Sequence, residues 1–94
     1  MMMVTVLTQE ACPSCVNAKN TLAQLADEYP FNIVEIPLAS AEGRDLANRV
    51  GIVFAPGILI DGELFSYGRL SEKKLRRHLS SVEWPTARPP AGPS

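Results

Sequence analysis

The sequence predicts an α/β domain of order β-α-β-α-β-β-α, a four-stranded mixed sheet with helices on both faces. Three observations carry that prediction. Two short apolar runs near the N-terminus flank a stretch of helical periodicity, a β-α-β unit whose crossover is expected to be right-handed and its strands parallel. Asp61-Gly62 then separates two further apolar runs, the signal of a tight antiparallel hairpin. A serine-capped amphipathic segment follows.

Val4-Thr5-Val6-Leu7 is short, β-branched and apolar, and reads as a buried strand. From Pro13 to about Tyr29 the residues Ala18, Leu22, Leu25 and Tyr29 recur at helical spacing and define one face. Cys12 stands at the N-cap, Pro13 takes the first helical position that proline favours, and Pro30 ends the helix. Phe31 to Ile36 is the second strand, closed by Pro37. Ser40 caps a short helix carrying Leu46, Ala47 and Val50 and stopped by Gly51, with Gly43 as the residue that argues against it. Gly57 to Ile60 and Glu63 to Tyr67 are the hairpin strands; of Phe65 and Tyr67, one is expected on the core and the other on the opposite layer. Ser71 caps a last helix with Leu75, Leu79 and Val82 inward.

A chain of 94 residues is enough for one domain, expected over residues 1–84. Trp84 is expected to pack the end of the last helix onto it, and "PTARPPAGPS", residues 85–94, to form a disordered proline-rich tail in which Arg88-Pro89-Pro90 can adopt polyproline II. The net charge of −1 offers no field for nucleic acid or an anionic membrane. No apolar run approaches the roughly 20 residues of a membrane span. The start lacks a basic n-region and a small-residue cleavage site, so no signal peptide is read; a monomer in a reducing cytoplasm is expected. The run Lys73 to His78 reads as the solvated face of a helix.

The two cysteines stand together in "ACPSC", as Cys12 and Cys15. Three readings compete: half a metal site, a structural pair, or a working dithiol. A disulfide closing so small a loop restricts the unfolded chain little. One C-x-x-C supplies two ligands where structural zinc takes four, and the single histidine, His78, lies far along the chain; a metal would need a second copy or outside ligands. At a strand-to-helix junction, by contrast, unpaired N–H groups and the helix dipole stabilise a thiolate. Cys12 would then attack a substrate disulfide and Cys15, one turn further in, would resolve the mixed disulfide. Pro13 stiffens the turn and Ser14 offers a hydroxyl or is simply small.

Strand, C-x-x-C helix, strand, short helix and then "GIVFAPGILIDGELFSYGRLSEKKL" resembles a small glutaredoxin-like or thioredoxin-like thiol–disulfide oxidoreductase, over nearly all of residues 3–82. The most specific parts are "CPSC", the Ala55-Pro56 step before an apolar strand, and the "DG" hairpin followed by Gly68. The resemblance implies a thioredoxin-like fold in which Pro56 is cis and lies against the dithiol. It implies that Ala55 and Pro56 wall a substrate groove, with Pro13, Ser14 and Gly68 beside it, and that backbone groups of Ala55 pair with a substrate chain or glutathione. Protein disulfides are the implied substrates, with reducing power from a thioredoxin-reductase-type enzyme or from glutathione and with no organic cofactor or metal. Several positions depart from the family pattern. No Trp precedes Cys12, and Glu10 stands where glutaredoxins often carry a basic residue, with Lys19 one to two turns into the helix as a partial offset. Ala55 replaces the more usual Thr or Val, and Tyr67-Gly68-Arg69-Leu70 lacks the Gly-Gly and Asp that bind glutathione in glutaredoxins. The alternative is a non-enzymatic thioredoxin-fold module that binds metal or another protein through the same surface.

Overall fold

The computed structural model describes residues 2–82; Trp84 and the proline-rich segment lie outside them. The elements are β1 (Met3–Thr8), α1 (Pro13–Ala26), β2 (Asn32–Pro37), α2 (Ala41–Val50), β3 (Gly57–Ile60), β4 (Glu63–Tyr67) and α3 (Glu72–Ser81). The sheet order is β2-β1-β3-β4. β1 runs parallel to β2, and β3 is antiparallel to both β1 and β4. This is the mixed sheet that the sequence predicts.

Alternation along β1 divides the core in two. Val4 and Val6 pair with Ile60 and Ile58 and join Leu22 and Leu25 of α1 and Leu75 and Leu79 of α3. Leu7 and Leu59 face the other way and pack with Ile36, Ala47, Ile52 and Ala55. Helices α1 and α3 therefore cover one face and α2 the other. Burying each such leucine is worth about 2 kcal/mol. Cys15 belongs to the second cluster although it sits in the first turn of α1.

Helix α1 stops at Ala26, three residues short of the expected Tyr29. Pro30 disfavours helical backbone at the residue before it, and the chain unwinds through a turn in which the Glu28 and Tyr29 N–H groups both donate to Leu25 O. Tyr29 still packs against the α1/α3 core and shares a 3.0 Å hydrogen bond between its hydroxyl and Ser80 Oγ. Strand β2 extends to Pro37, which an edge strand tolerates. In the hairpin, Asp61 and Gly62 both take positive φ, 50° and 87°, as a tight turn of the Asp-Gly type requires. A bulge lies opposite the Ile58–Leu59 step: Ile58 pairs with Ser66 and Leu59 with Leu64, leaving Phe65 as the extra residue. Residues two apart normally share a face. The bulge instead sets Phe65 against the α1/α3 core, 5.4 Å from the His78 ring, while Tyr67 lies 5.0 Å from Phe54.

Within the basic run of α3, Lys73, Lys74 and Arg77 are exposed, as a solvated face should be. Arg76 is engaged: it donates to both carboxylate oxygens of Glu28, at 2.6 and 3.1 Å, and to Glu72 at 3.0 Å. These bonds hold the Glu28 carboxyl below its usual range and push the Arg76 guanidinium up. A carboxyl whose pKa is lowered by folding contributes stability above its unfolded pKa and loses it as pH falls through the folded one. Arg76→Ala is therefore expected to lower the melting temperature slightly at neutral pH, and the gap to close as Glu28 protonates. Paired melting curves across the acid range check this; a gap that widened in acid would contradict it.

Candidate functional site

The loop from β1 to α1 places the dithiol. Ala11, at φ 51°, takes the left-handed turn that delivers Cys12 in extended backbone to the N-cap of α1. Cys12 O accepts the Cys15 and Val16 N–H groups at 3.0 and 3.2 Å, and Cys12 Sγ also accepts the Cys15 N–H, at 3.1 Å. Pro13 has no N–H to satisfy at the helix start. Cys12 and Cys15 form a disulfide with Cα atoms 5.2 Å apart. The two sulfurs are not equivalent: Cys12 is half-buried at the surface, while the Cys15 residue is 2% exposed. That asymmetry separates an accessible sulfur from a protected one.

A cavity of about 450 Å³ opens at the pair, lined among others by Thr8, Gln9, Pro13, Lys19 and Glu35. Glu35 Oε2 accepts from Thr8 Oγ1 and from Lys19 Nζ, both at 3.3 Å, so Lys19 is paired across the floor to β2. A neighbouring cavity of about 780 Å³ shares Thr8, Gln9 and Glu35, and reaches Glu10, Leu38 and Arg44. Glu10 is exposed there rather than against the sulfurs.

On the second flank the Ala55–Pro56 peptide bond is cis, as the resemblance implies. Ala55 packs in the cluster that holds Cys15, and Pro56 is fully buried. Gly68, at φ 85°, donates its N–H to Pro56 O at 2.8 Å, and the Phe54 ring lies against it. Ala55 N–H donates to Gln9 Oε1 at 3.1 Å. The fold thus brings Cys12, Cys15 and Ala55 into one cluster, with Pro13 lining the cavity at the pair, Pro56 next in the chain after Ala55, and Gly68 joined to Pro56. Ser14 is set apart: it lines a different hollow with Asn17, Ala18, Arg69 and Leu70. Val53, Phe54 and Tyr67 are exposed by 80%, 47% and 43%, an apolar ledge beside Pro56 and Gly68. Val53 and Phe54 carried a signal in the sequence, an apolar pair ahead of a proline and outside any strand. Gln9 carried none, since its partner is 46 positions away.

Among the described residues no group of three His, Cys, Asp or Glu side chains is placed to hold a metal ion, and no helix is long and apolar enough to cross a membrane.

Comparison with known proteins agrees with this geometry. A probable thioredoxin from Archaeoglobus fulgidus is 27% identical over 83 residues, covering 88% of this chain and 91% of that one. A thioredoxin-like protein from Clostridium perfringens shares the fold with a TM-score of 0.69 at 23% identity, covering 86% of this chain and 70% of the other. Mitochondrial thioredoxin 3 from Saccharomyces cerevisiae, in its oxidised form, gives 0.64 at 19% identity over 86% and 78% of the two chains. The model of the thioredoxin domain family matches residues 2–80. That match spans the dithiol, the cis proline and the whole sheet, and together with the Cys12–Cys15 pair it supports thiol–disulfide redox chemistry: the chain belongs to the thioredoxin domain family.

Proposed function

We propose that this protein is a thiol–disulfide oxidoreductase acting on protein disulfides. The observation that carries the reading is the asymmetric pair at the head of α1, with Cys12 accessible and Cys15 covered. In the reduced protein the Cys15 N–H and the helix N-terminus stabilise a Cys12 thiolate. That thiolate attacks one substrate sulfur; a Cys12–substrate bond forms, the substrate S–S bond breaks, and the leaving thiolate takes a proton. Cys15 then loses its proton and attacks Cys12 Sγ. The intramolecular disulfide forms, the second substrate thiol departs, and two electrons have passed to the substrate. A thioredoxin-reductase-type enzyme or glutathione returns them. Ala55 and Pro56 wall the groove, with Pro13 and Gly68 at its margins and Ser14 outside it.

A redox titration in dithiothreitol buffers, read by thiol alkylation and mass, tests the reading. A reversible two-electron transition within about −270 to −200 mV, the span from thioredoxin to glutaredoxins, is expected. Thiols held by stoichiometric metal, or unable to form the intramolecular disulfide, would favour the binding module instead.

The Val53–Phe54–Tyr67 ledge is the surface on which a protein substrate would rest. Phe54→Ala is expected to lower kcat/KM on a protein disulfide several-fold relative to a small disulfide, because it removes an exposed ring that packs on Gly68 and Tyr67. Equal losses on both substrates would remove the ledge from recognition.

A further inference from the structure

Most of the unpaired positive charge lies between Arg69 and Arg77. Lys19, Arg49 and Arg76 are each held in an ion pair. Arg69, Lys73, Lys74 and Arg77 are exposed and form no ion pair with a carboxylate among the described residues. Arg44 on α2 is also unpaired among them, but its cavity mixes signs, with Glu10 and Glu35. Lys73 and Arg77 stand at i and i+4, a like-charge spacing that weakens a helix, so this run is not built for stability.

Arg69 joins the run to the redox site. It follows Gly68, whose N–H is bonded to Pro56 O. Its own carbonyl accepts the Ser66 hydroxyl at 2.6 Å, and the next residue, Leu70, packs against the α1/α3 core. The backbone is pinned on both sides of a residue that stays exposed. Arg69 borders two hollows. One, of about 330 Å³, it shares with Ser14 and Asn17 at the start of α1, Ser14 standing between the two cysteines. The other, of about 320 Å³, it shares with Tyr67, Ser71 and Lys74. Lys74 and Arg77, three apart, continue along one row of α3. A strip of positive charge thus runs from the dithiol helix, past the Tyr67 end of the apolar ledge, onto α3.

We infer that Arg69, Lys74 and Arg77 form a docking strip for the protein whose disulfide reacts at Cys12, and that this partner carries Asp and Glu side chains beside its disulfide. The net charge of −1 gives the chain no general pull on polyanions, so the attraction is local to this strip. Complementary charge there speeds encounter and sets the register of the partner, while the neighbouring ledge supplies apolar contact. Each exposed pair formed across such a contact is worth roughly 1.4- to 5-fold, so three together give roughly 3- to 100-fold. The inference rests on the redox reading above and adds the charge class of its substrate.

The test follows oxidation of reduced protein by two disulfide-linked peptide dimers, one with Asp and Glu flanking its cysteine and one with Lys. The protein gains the Cys12–Cys15 disulfide and each dimer leaves as two thiols. Every rate constant is divided by that of dithiothreitol with the same dimer, which removes the peptides' own reactivity. Wild type is expected to favour the acidic dimer at least about threefold at low salt, and the preference to fall toward one at about 0.5 M salt. Arg69→Glu with Lys74→Glu is expected to invert it. Arg44→Glu with Arg49→Glu changes the net charge equally from α2 and is expected to leave the preference within twofold. The ratio of dimers is insensitive to the fraction of each variant that folds. Equal rates in wild type, an unmoved ratio in the first variant, or an equal shift in the second would each overturn the inference while the redox reading stood. Failure of wild type to oxidise with either dimer or with bis(2-hydroxyethyl) disulfide would overturn the redox reading, and this inference with it.

Discussion

Cys12→Ser is expected to slow disulfide reduction at least about a thousandfold, while Cys15→Ser keeps the first step and accumulates a mixed disulfide. The chain has two cysteines, so no third thiol can replace the attacker. Cys15 cannot take over, because it is 2% exposed and packed among Leu7, Leu59 and Ala55. A serine hydroxyl stays protonated at neutral pH, even with the Cys15 N–H pointing at it, and is a poor nucleophile toward sulfur. In Cys15→Ser the accessible Cys12 still attacks, but nothing inside the protein attacks Cys12 Sγ afterwards. Intact-mass measurement should then show protein plus one substrate half, released by dithiothreitol. Full activity in Cys12→Ser would overturn the assignment of roles, and a trapped adduct on Cys12→Ser rather than Cys15→Ser would reverse it. Neither outcome depends on stability alone, since the alkylation pattern and mass identify which sulfur reacted.

What could be read from the chain before its structure was the part written in neighbouring residues. Cys12 and Pro13 at a helix start, Ser40 and Gly51 around α2, Ser71 ahead of α3 and the Asp61-Gly62 turn each complete their chemistry within a few positions. The periodicity behind α1 also held for burial: Ala18, Leu22 and Leu25 are core, and Tyr29 packs beside them although the helix has already ended at Ala26. Periodicity reports which side chains turn inward, and cannot say where the hydrogen-bond ladder stops when a proline follows. The remaining features are made by pairs distant in sequence. Glu28 and Arg76 are 48 positions apart, and Gln9 and Ala55 are 46 apart. The extra residue in β4 is set by how its partner strand lies, so nothing in Glu63 to Tyr67 alone announces it. For the site this means that the cysteine pair at a helix start was legible in neighbouring residues and the cis proline through the family resemblance, while the contact between Gln9 and Ala55 was not.

Gly43→Ala is expected to destabilise the protein by about 2 kcal/mol, against the helix-propensity trend and by an overpacking mechanism. In an ordinary helix interior the change would stabilise by roughly 1 kcal/mol. From sequence alone, Gly43 counted against α2; in the fold it is the residue that lets α2 close onto the end of β2. A Cβ there would overlap the Pro37 carbonyl oxygen and press on Leu38 Cα, both backbone groups. That carbonyl cannot swing aside freely. It accepts the Ser40 hydroxyl at 2.7 Å and the Ser40 N–H at 3.1 Å, while Ser40 Oγ in turn accepts the Gly43 N–H at 2.9 Å. Relief requires α2 to move off β2, loosening the cap together with the packing of Ala47 against Leu7 and Ile36. At this chain length such a loss lowers the melting temperature by roughly 10 °C. Asn48→Ala, at an exposed position of the same helix, is the control and should be neutral or slightly stabilising. Melting of the oxidised proteins decides the matter: if Gly43→Ala melted at or above wild type, α2 would not rest on the Pro37 carbonyl, and the wall carrying Leu38 and Arg44 of the larger cavity would be placed differently.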